Sequence, residues 1–489
     1  MSIVSLLRKD TDGAGRRRIL RPIMRAPTGA PITASPHLAL GRQPVWLVEI
    51  PGASQYLATR EITLEGRSYL PILAPGGIAD ITRELLTGDV PRVSNATIQI
   101  VNATLYSGLI NSYQLDNQPM RILAGFLGYP YEQYRVLFTG PLDNWQAQRR
   151  RFQLEALDGT FQRHVTLPAI DGATFGTLTN PADVIQYLAQ TYVPLLTLNV
   201  DSVARFKAAR TAWTFQGSVD EGTNSFDLFV RMAHQAQGRY IESPNGEGQL
   251  IPLESSTPPL QTFTASEIAP DSVTLGRSAE SEVYTDIYVW YGRDPTLGTA
   301  SSVTAYAGAV VATPDGTTHP TDPLHVLCQL ASTALNGISH RLDYLADWIG
   351  SATEAHRLLK FLVIWHTQRR HVVHFSTWSQ AWQRDVTDAI TVMHDLVPAQ
   401  VQTFEIVATT NRGPHSEVVT QELDHPYWHA WVEHWGTVTS GANPLPPGVD
   451  PAPIAGDPWD PTIQETLIIS EDWEPGILEL LILRETWET

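Results

Sequence analysis

The sequence predicts a mainly β protein in which two β-barrel domains flank a small α+β module, with an extended arm at each end. Short segments rich in β-branched and aromatic residues alternate with turn residues over 43–165 and again over 256–425. Helical periodicity instead marks 166–255. The chain of 489 residues is long enough for roughly three or four domains of ordinary size.

Residues 1–42 form a basic N-terminal arm. The arm holds eight Lys and Arg residues and two Asp residues, so its net charge is +6. The whole chain carries −18, and residues 43–489 therefore carry −24. We expect the arm to lie extended along another chain, held against acidic surface by arginines that include Arg16, Arg17 and Arg18. A solvated, disordered end is the alternative interpretation.

The region 43–165 is predicted to fold as the first barrel domain. Gly66, Asn117, Gly128 and Gly140 separate its apolar segments and are typical of tight turns. The expected strands are Val45–Ile50, Glu61–Leu64, Thr97–Val101, Met120–Phe126, Arg135–Thr139 and Phe152–Ala156.

The region 166–255 is predicted to be the α+β module. Asn180 followed by Pro181 indicates the start of one helix, and Asn224 the start of a second that Gly238 would end. A hairpin is expected to follow, formed by Arg239–Glu242 and Gln249–Leu253.

The region 256–425 is predicted to be the second barrel domain, with a helix at 352–368. The capping box Ser351-Ala-Thr-Glu354 begins that helix, and apolar residues recur along it at helical spacing. A Gly-, Ala- and Thr-rich stretch over 297–321 favours a long loop. The expected strands are Asp286–Tyr291, His371–Thr377, Ala389–Met393, Phe404–Thr409 and Glu417–Gln421.

The C-terminal region 426–489 begins with an aromatic segment. Trp428, Trp431 and Trp435 are spaced i, i+3, i+7, as on one face of a helix. The stripe is typical of the core side of a short helix, and it would also suit an anchor for a neighbouring subunit.

A spacer and two repeated segments end the chain. Seven prolines within 444–461 favour a stiff, extended spacer. Two Leu- and Ile-rich repeats then end in Glu-Asp-Trp-Glu and Glu-Thr-Trp-Glu, with Trp473 and Trp487 at corresponding positions. They are too short to fold alone, so we expect them to dock as added strands on a neighbour, with folding back on their own chain as the alternative.

Enzyme motifs are missing from the sequence. It holds no phosphate-binding loop, no nucleophile elbow, no His-Glu-x-x-His and no dinucleotide fingerprint. The single cysteine, Cys328, excludes a disulfide or a cysteine-ligated metal cluster within one chain. We therefore predict no catalytic, cofactor-binding or metal-binding residues, and no membrane insertion, since apolar runs are far shorter than about 20 residues.

Six segments carry a resemblance, namely Tyr56–Leu73, Val93–Asn102, Val136–Gly140, Asn224–Leu253, Thr285–Arg293 and Phe375–His394. The two Trp-containing tail repeats add to it. They resemble tail-tip proteins of long-tailed, siphovirus-like bacteriophages and of gene transfer agents, and the resemblance extends over most of 45–425.

The resemblance implies a baseplate hub, a structural protein of the virion tail tip made in the host cytoplasm. Such hubs form trimers in which two tube-like barrels per chain make a pseudo-sixfold ring that continues the tail tube. The distal tail ring, the tape measure and receptor-binding proteins would be partners. DNA would pass the lumen without specific binding, because an acidic body repels it. A hexameric distal tail ring protein is the alternative, followed by a cell-wall hydrolase or receptor-binding module.

Overall fold

The computed structural model describes most of the chain between residues 43 and 423. No helix in this part is long and apolar enough to cross a membrane. The described residues are 43–86, 90–93, 95–101, 115–148, 151–253, 259–292, 303–309, 323–397, 403–412, 415–423, 468–469 and 481–482.

Strands predominate, and the fold class predicted from the sequence, mainly β with an α+β module, is confirmed. In chain order the strands are β1 (Pro44–Ile50), β2 (Gln55–Ala58), β3 (Ile62–Leu64), β4 (Arg67–Tyr69), β5 (Leu73–Ile78), β6 (Ile81–Leu86), β7 (Val90–Val93), β8 (Ala96–Val101), β9 (Pro119–Phe126), β10 (Arg135–Gln148), β11 (Arg151–Ala156), β12 (Thr197–Leu198), β13 (Gly238–Glu242), β14 (Glu247–Pro252), β15 (Gln261–Thr264), β16 (Thr274–Arg277), β17 (Asp286–Tyr291), β18 (Val303–Gly308), β19 (Arg341–Ala346), β20 (His371–Thr377), β21 (Ala389–Met393), β22 (Thr403–Arg412), β23 (His415–Glu422), β24 (Ile468–Ile469) and β25 (Leu481–Ile482).

Most of the helices follow the last strand of the first large sheet along the chain and precede the first strand of the second. They are α1 (Thr160–Arg163), α2 (Pro181–Tyr192), α3 (Val200–Ala209), α4 (Ser225–Gln235), α5 (Pro323–Ala334) and α6 (Ala352–His366).

The first large sheet has seven strands in the order β2-β1-β9-β10-β11-β8-β5, all antiparallel to their neighbours. Its strands alternate between buried apolar and outer residues, as in β8 and β11, so one face forms a core. That core includes Val48, Ile98, Ile122, Phe152 and Leu154.

The second large sheet is built on the strand order β15-β21-β22-β23-β20-β16. The hairpin β6–β7 comes from the first region of the chain, yet β6 pairs with β22 and thereby extends this sheet. The two large sheets curve into a nearly closed barrel and a half-barrel. Among the described strands, the outer ones, β15 and β16, do not pair with each other.

The α+β module packs α2, α3 and α4 against the small sheet β12-β14-β13. Asn180 caps α2 and Asn224 caps α4, each through its side-chain oxygen and main-chain N–H groups of the first turn. Both predicted helices and the predicted hairpin, now β13–β14, are confirmed.

An insert at 278–370 separates β16 from β20 of the second sheet. It holds the sheet β18-β17-β19 covered by α5 and α6, and the capping box of α6 is formed, with the Glu354 N–H donating to Ser351 Oγ at 3.3 Å. The loop predicted over 297–321 is wrong for Val303–Gly308, which pairs with β17. Its small residues Ala305 and Ala307 are buried in the core beneath the helices, where composition alone indicated a loop.

Candidate functional site

The two large sheets share one strand order. Without the short edge strand β2, the first reads β1-β9-β10-β11-β8-β5 and the second β15-β21-β22-β23-β20-β16. Numbered by appearance in the chain, both run first, fourth, fifth, sixth, third, second. Only the first strand differs in direction, because β1 is antiparallel to β9 whereas β15 is parallel to β21.

The central hairpins also share their register. In the first sheet Leu142 pairs with Ala156, the register then shifts at residue 143, and the ladder resumes from Asn144 to Gln148 opposite residues 155 to 151. In the second sheet Ile406 pairs with Thr420, the register shifts at residue 407, and the ladder resumes from Ala408 to Arg412 opposite residues 419 to 415. A bulge at the same place in both hairpins indicates two copies of one unit, because register slips flip every side chain to the other face.

A turn with matching hydrogen bonds precedes the fourth strand of each sheet. In both, the residue just before the bulge donates its main-chain N–H to the second turn residue. Its carbonyl oxygen accepts from the N–H of the first turn residue. The bonds run from Leu142 N to Gln118 O (2.9 Å) and Asn117 N to Leu142 O (3.0 Å) in the first sheet, and from Ile406 N to Asp388 O (3.0 Å) and Thr387 N to Ile406 O (2.8 Å) in the second.

The same turns share a left-handed backbone. The φ angle is 58° at Asn117 and 74° at Thr387. A β-branched residue such as Thr rarely adopts this conformation, so the turn geometry is imposed by the fold. The first unit is the first sheet with its turn and the segments between its strands in the chain, which include the hairpin β6–β7. The second unit is the six-stranded second sheet with its turn and the segments between its strands.

The hairpin β6–β7 makes the main-chain contact between the units. Its residues Ile81–Glu84 pair in antiparallel register with Ala408–Asn411, directly after the bulge of β22. Thr409 and Asn411 are only 2% and 6% exposed. The open edge of the second unit is thus covered by a strand from the first unit of the same chain.

Arg83 anchors this hairpin. Its Nε donates to Asp385 Oδ1 at 2.7 Å, and its Nη2 donates to the main-chain oxygen of Glu242. Arg83 and Asp385 are both largely buried. One guanidinium therefore ties the first unit to the turn of the second unit and to strand β13 of the α+β module.

The carboxylate of Glu242 joins the α+β module to the segment that follows β11, at the end of α1. Arg163 donates to Oε2 through Nε at 2.7 Å, and His164 Nε2 donates to Oε1 at 2.6 Å. Burial would raise the pKa of Glu242, but the hydrogen bond from His164 and the charge of Arg163 outweigh it and hold this pKa below its ordinary value. The buried carboxylate is therefore charged and fully partnered.

The space beside these charges is too small for a substrate. Arg83, Asp158, Arg163 and Glu242 enclose a cavity of about 10 Å³, which holds at most about one water molecule. Burial raises the pKa of Asp158, whose carboxylate accepts from Thr160. We interpret the cluster as a structural junction.

Trp382 links the units in the opposite direction. It follows β20 of the second unit, is fully buried, and belongs to the core of the first unit. Its ring stacks on Phe126 at 5.7 Å and meets Trp46 edge to face at 5.5 Å. Each unit therefore places one element in the other.

A further buried ion pair attaches the α+β module to the second unit. Arg239 of β13 pairs with Glu405 of β22. Two guanidinium groups lie over the ring of Trp365 in α6, with the Cζ of Arg239 5.6 Å and the Cζ of Arg370 3.3 Å from the ring centroid. The insert helix, the module and the second sheet are thereby held together.

The interface residues predicted from the sequence lie outside the described residues, and their roles stay predictions. In the tail repeats the structure describes only β24 and β25, which pair with each other through Ile468 with Ile482 and Ile469 with Leu481. The predicted residues are Arg16, Arg17, Arg18, Trp428, Trp431, Trp435, Trp473 and Trp487.

Solved structures similar to this chain are phage tail and baseplate proteins, the class that the sequence resemblance indicates. A tail protein from Neisseria meningitidis MC58 is 10% identical with a TM-score of 0.43, over 78% of this chain and 96% of that one. A 43 kDa tail protein of prophage MuSo2 from Shewanella oneidensis is 10% identical with a TM-score of 0.42, over 78% and 99%. The p2 virion baseplate in its activated conformation gives 11% identity and a TM-score of 0.32, over 78% and 100%.

Neither protein-family models nor curated protein sequences match the chain. In these three structures the identities are near 10% and the TM-scores lie below 0.5.

Proposed function

We propose that this chain is a structural protein of a phage tail, and that it forms the hub ring of the tail tip. The observation that carries the proposal is the internal repeat: one chain holds two units with the same strand order, the same bulge and the same turn hydrogen bonds. A chain with two equivalent units can fill two positions of a ring.

Three such chains would present six equivalent positions. That number fits a ring that stacks on a hexameric tube, whereas six chains would present twelve positions. The internal repeat therefore favours a trimeric hub over a hexameric distal ring protein.

The contacts between the units support a structural role rather than a catalytic one. The buried charges at the junction, Arg83, Glu242 and Asp385, are paired within the chain, and the cavity beside them is smaller than a substrate. Their chemistry holds three regions in place. Other tail proteins, namely the distal ring, the tape measure and receptor-binding proteins, would be the partners at the virion tail tip.

The charge of the chain suits a ring through which DNA is ejected. Residues 43–489 carry a net charge of −24, so phosphate groups would be repelled from the body of the protein. DNA and the tape measure could then pass without specific binding.

Counting copies per ring tests the proposal. The full chain would be purified with its neighbouring tail proteins, and its rings would be imaged by electron microscopy. We expect three copies, with the two units of each chain alternating around the ring. Six copies with a single unit facing the axis would instead select the distal ring function.

A further inference from the structure

We propose that the edge of β10 at Asn144–Ala147 is covered in the assembled protein by a strand from a second copy of this chain, supplied by the insert 278–370 of that copy. The inference rests on the internal repeat and deepens the proposed ring by naming the contact between neighbouring chains.

The edge at Asn144–Ala147 corresponds residue by residue to the covered edge of the second unit. Both segments lie directly after the bulge and pair on one side with the next strand of the hairpin. In the second unit β6 occupies the other side of Ala408–Asn411. Along Asn144–Ala147 no strand of the described part of the chain occupies it.

Side-chain exposure differs accordingly between the two edges. Trp145 is 38% exposed, although it stacks on Phe152 at 5.7 Å, and its neighbours from Asn144 to Ala147 are exposed as well. The corresponding Thr409 is buried. On the side away from β11, the main-chain groups of this segment have no ladder partner among the described residues, and the Trp145 N–H donates to the Asn144 side-chain oxygen at 2.8 Å. Such an exposed edge with a partly open tryptophan is a template for strand addition.

The order of the chain identifies the occupant. Between its second and third strands the first unit carries the hairpin β6–β7, which covers the second unit. Between its second and third strands the second unit carries the insert 278–370, whose described strands do not pair with β10 of the same chain. If each unit covers the next one around a ring, the insert of one chain reaches the first unit of the following chain. Such a contact is heterologous, and repeated contacts of this kind close into a ring.

Proline at the edge tests the contact. Ala147→Pro should raise the dissociation constant for self-association of the full chain by at least about tenfold, because proline removes a donor and its ring obstructs an added strand. The matched control is Ala265→Pro, at an exposed turn position where Glu267 N donates to Thr264 O at 2.9 Å and proline is favoured. It should leave self-association unchanged.

A second variant separates loss of docking from loss of folding. Asn144→Lys combined with Gln146→Lys keeps the main chain of the hairpin and adds the charges by which natural edge strands avoid pairing. Sedimentation should show weaker self-association for this variant with an unchanged melting temperature. Self-association equal to that of the unmodified chain in both variants would overturn the proposal.

Cross-linking identifies the segment that docks. A photoreactive residue would replace Gln146 in the full chain, and heavy-isotope-labelled and unlabelled copies would be mixed before irradiation. We expect cross-links between copies, from position 146 to residues within 278–370. Cross-links confined to one copy, or to any other segment of the second copy, would overturn the proposal while leaving the tail function to be decided by the ring count.

Discussion

The two units differ most at the edge that follows the bulge. In the second unit the edge at Ala408–Asn411 is closed by β6 and its Thr409 is buried, whereas in the first unit the edge at Asn144–Ala147 is exposed. Among the described residues, only the second of the two units has a strand against this edge. The covered edge shows how an added strand fits, and the open edge is where we propose that a strand of a second copy docks.

The units also differ in the turn that positions this edge. The first unit has Asn117 and Gln118 where the second has Thr387 and Asp388. The main-chain hydrogen bonds are the same in both units. Thr387 is less suited than Asn117 to a left-handed backbone, and the carboxyl group of Asp388 is less suited than the Gln118 amide to burial. The contacts that join the units should therefore dominate stability, and the turn residues should contribute smaller, measurable differences.

Trp382 is expected to give the largest effect, because it joins the core of the other unit. Trp382→Ala should lower the free energy of unfolding by about 4 kcal/mol, since it removes a fully buried ring that stacks on Phe126. Chemical unfolding followed by tryptophan fluorescence and circular dichroism measures the change.

A matched control lies four residues earlier. Trp378 is 45% exposed, and its ring contacts His415 at 4.3 Å. Trp378→Ala should cost less than about 1 kcal/mol. Equal losses for the two tryptophans would show that Trp382 does not join the units.

Arg83 ranks second, because its removal leaves a buried carboxylate without its cation. Arg83→Met should lower the free energy of unfolding by about 3 kcal/mol, since Asp385, which is only 8% exposed, would lose the guanidinium that it contacts. A double-mutant cycle with Asp385→Asn measures the coupling.

The double variant should lose less stability than the sum of the two single variants, because a neutral amide no longer needs the guanidinium. Additive losses would mean that Arg83 acts only through its bond to the Glu242 main chain.

The strands could be predicted from the sequence because their signals are local. Nine of the thirteen expected strands, such as Met120–Phe126 and Ala389–Met393, lie within one residue of those observed, and the capping residues Asn180, Asn224 and Ser351 begin helices as expected. Short alternating segments between turns carry this information without help from the rest of the fold.

The contacts between the units could not be predicted in this way. Thr82 and Thr410, whose hydroxyls lie 3.1 Å apart across the β6–β22 pairing, are separated by 328 residues. Neither the register of such a pair nor the burial of Trp382 in a distant core leaves a local pattern. Helix α5 did leave a local pattern, since Leu324, Leu327, Cys328 and Ala331 are buried at helical spacing.

Asp388 should make the second unit sensitive to pH. Burial raises the pKa of Asp388 from 3.8 to about 6. Between these values the folded protein holds a proton that the unfolded chain has released, so stability is lost as the pH rises from about 4 to about 6. Asp388→Asn should remove this loss and raise the free energy of unfolding by about 2 to 3 kcal/mol at pH 7.5.

At pH 3.5 the same variant should match the unmodified chain, because Asp388 is then protonated in both states. Melting temperatures at the two pH values measure the difference. As a control, Gln118→Asn changes the corresponding position of the first unit, which carries no charge, and should alter stability equally at both pH values.

The smallest effect is expected at the first turn residue, which is Thr387 in the second unit and Asn117 in the first. The side chain of each unit can be placed in the other by a single substitution. Thr387 holds a left-handed φ of 74°, and Asn117 holds one of 58°. Asn tolerates this region, whereas a β-branched side chain does not, so Thr387→Asn should raise the free energy of unfolding by about 1 kcal/mol and Asn117→Thr should lower it by about the same amount. Opposite signs are required, because the main-chain N–H of each residue makes the same bond to the residue just before the bulge. If both exchanges destabilise the chain, the side chains serve different contacts in the two units, and the match between the turns does not extend beyond the main chain.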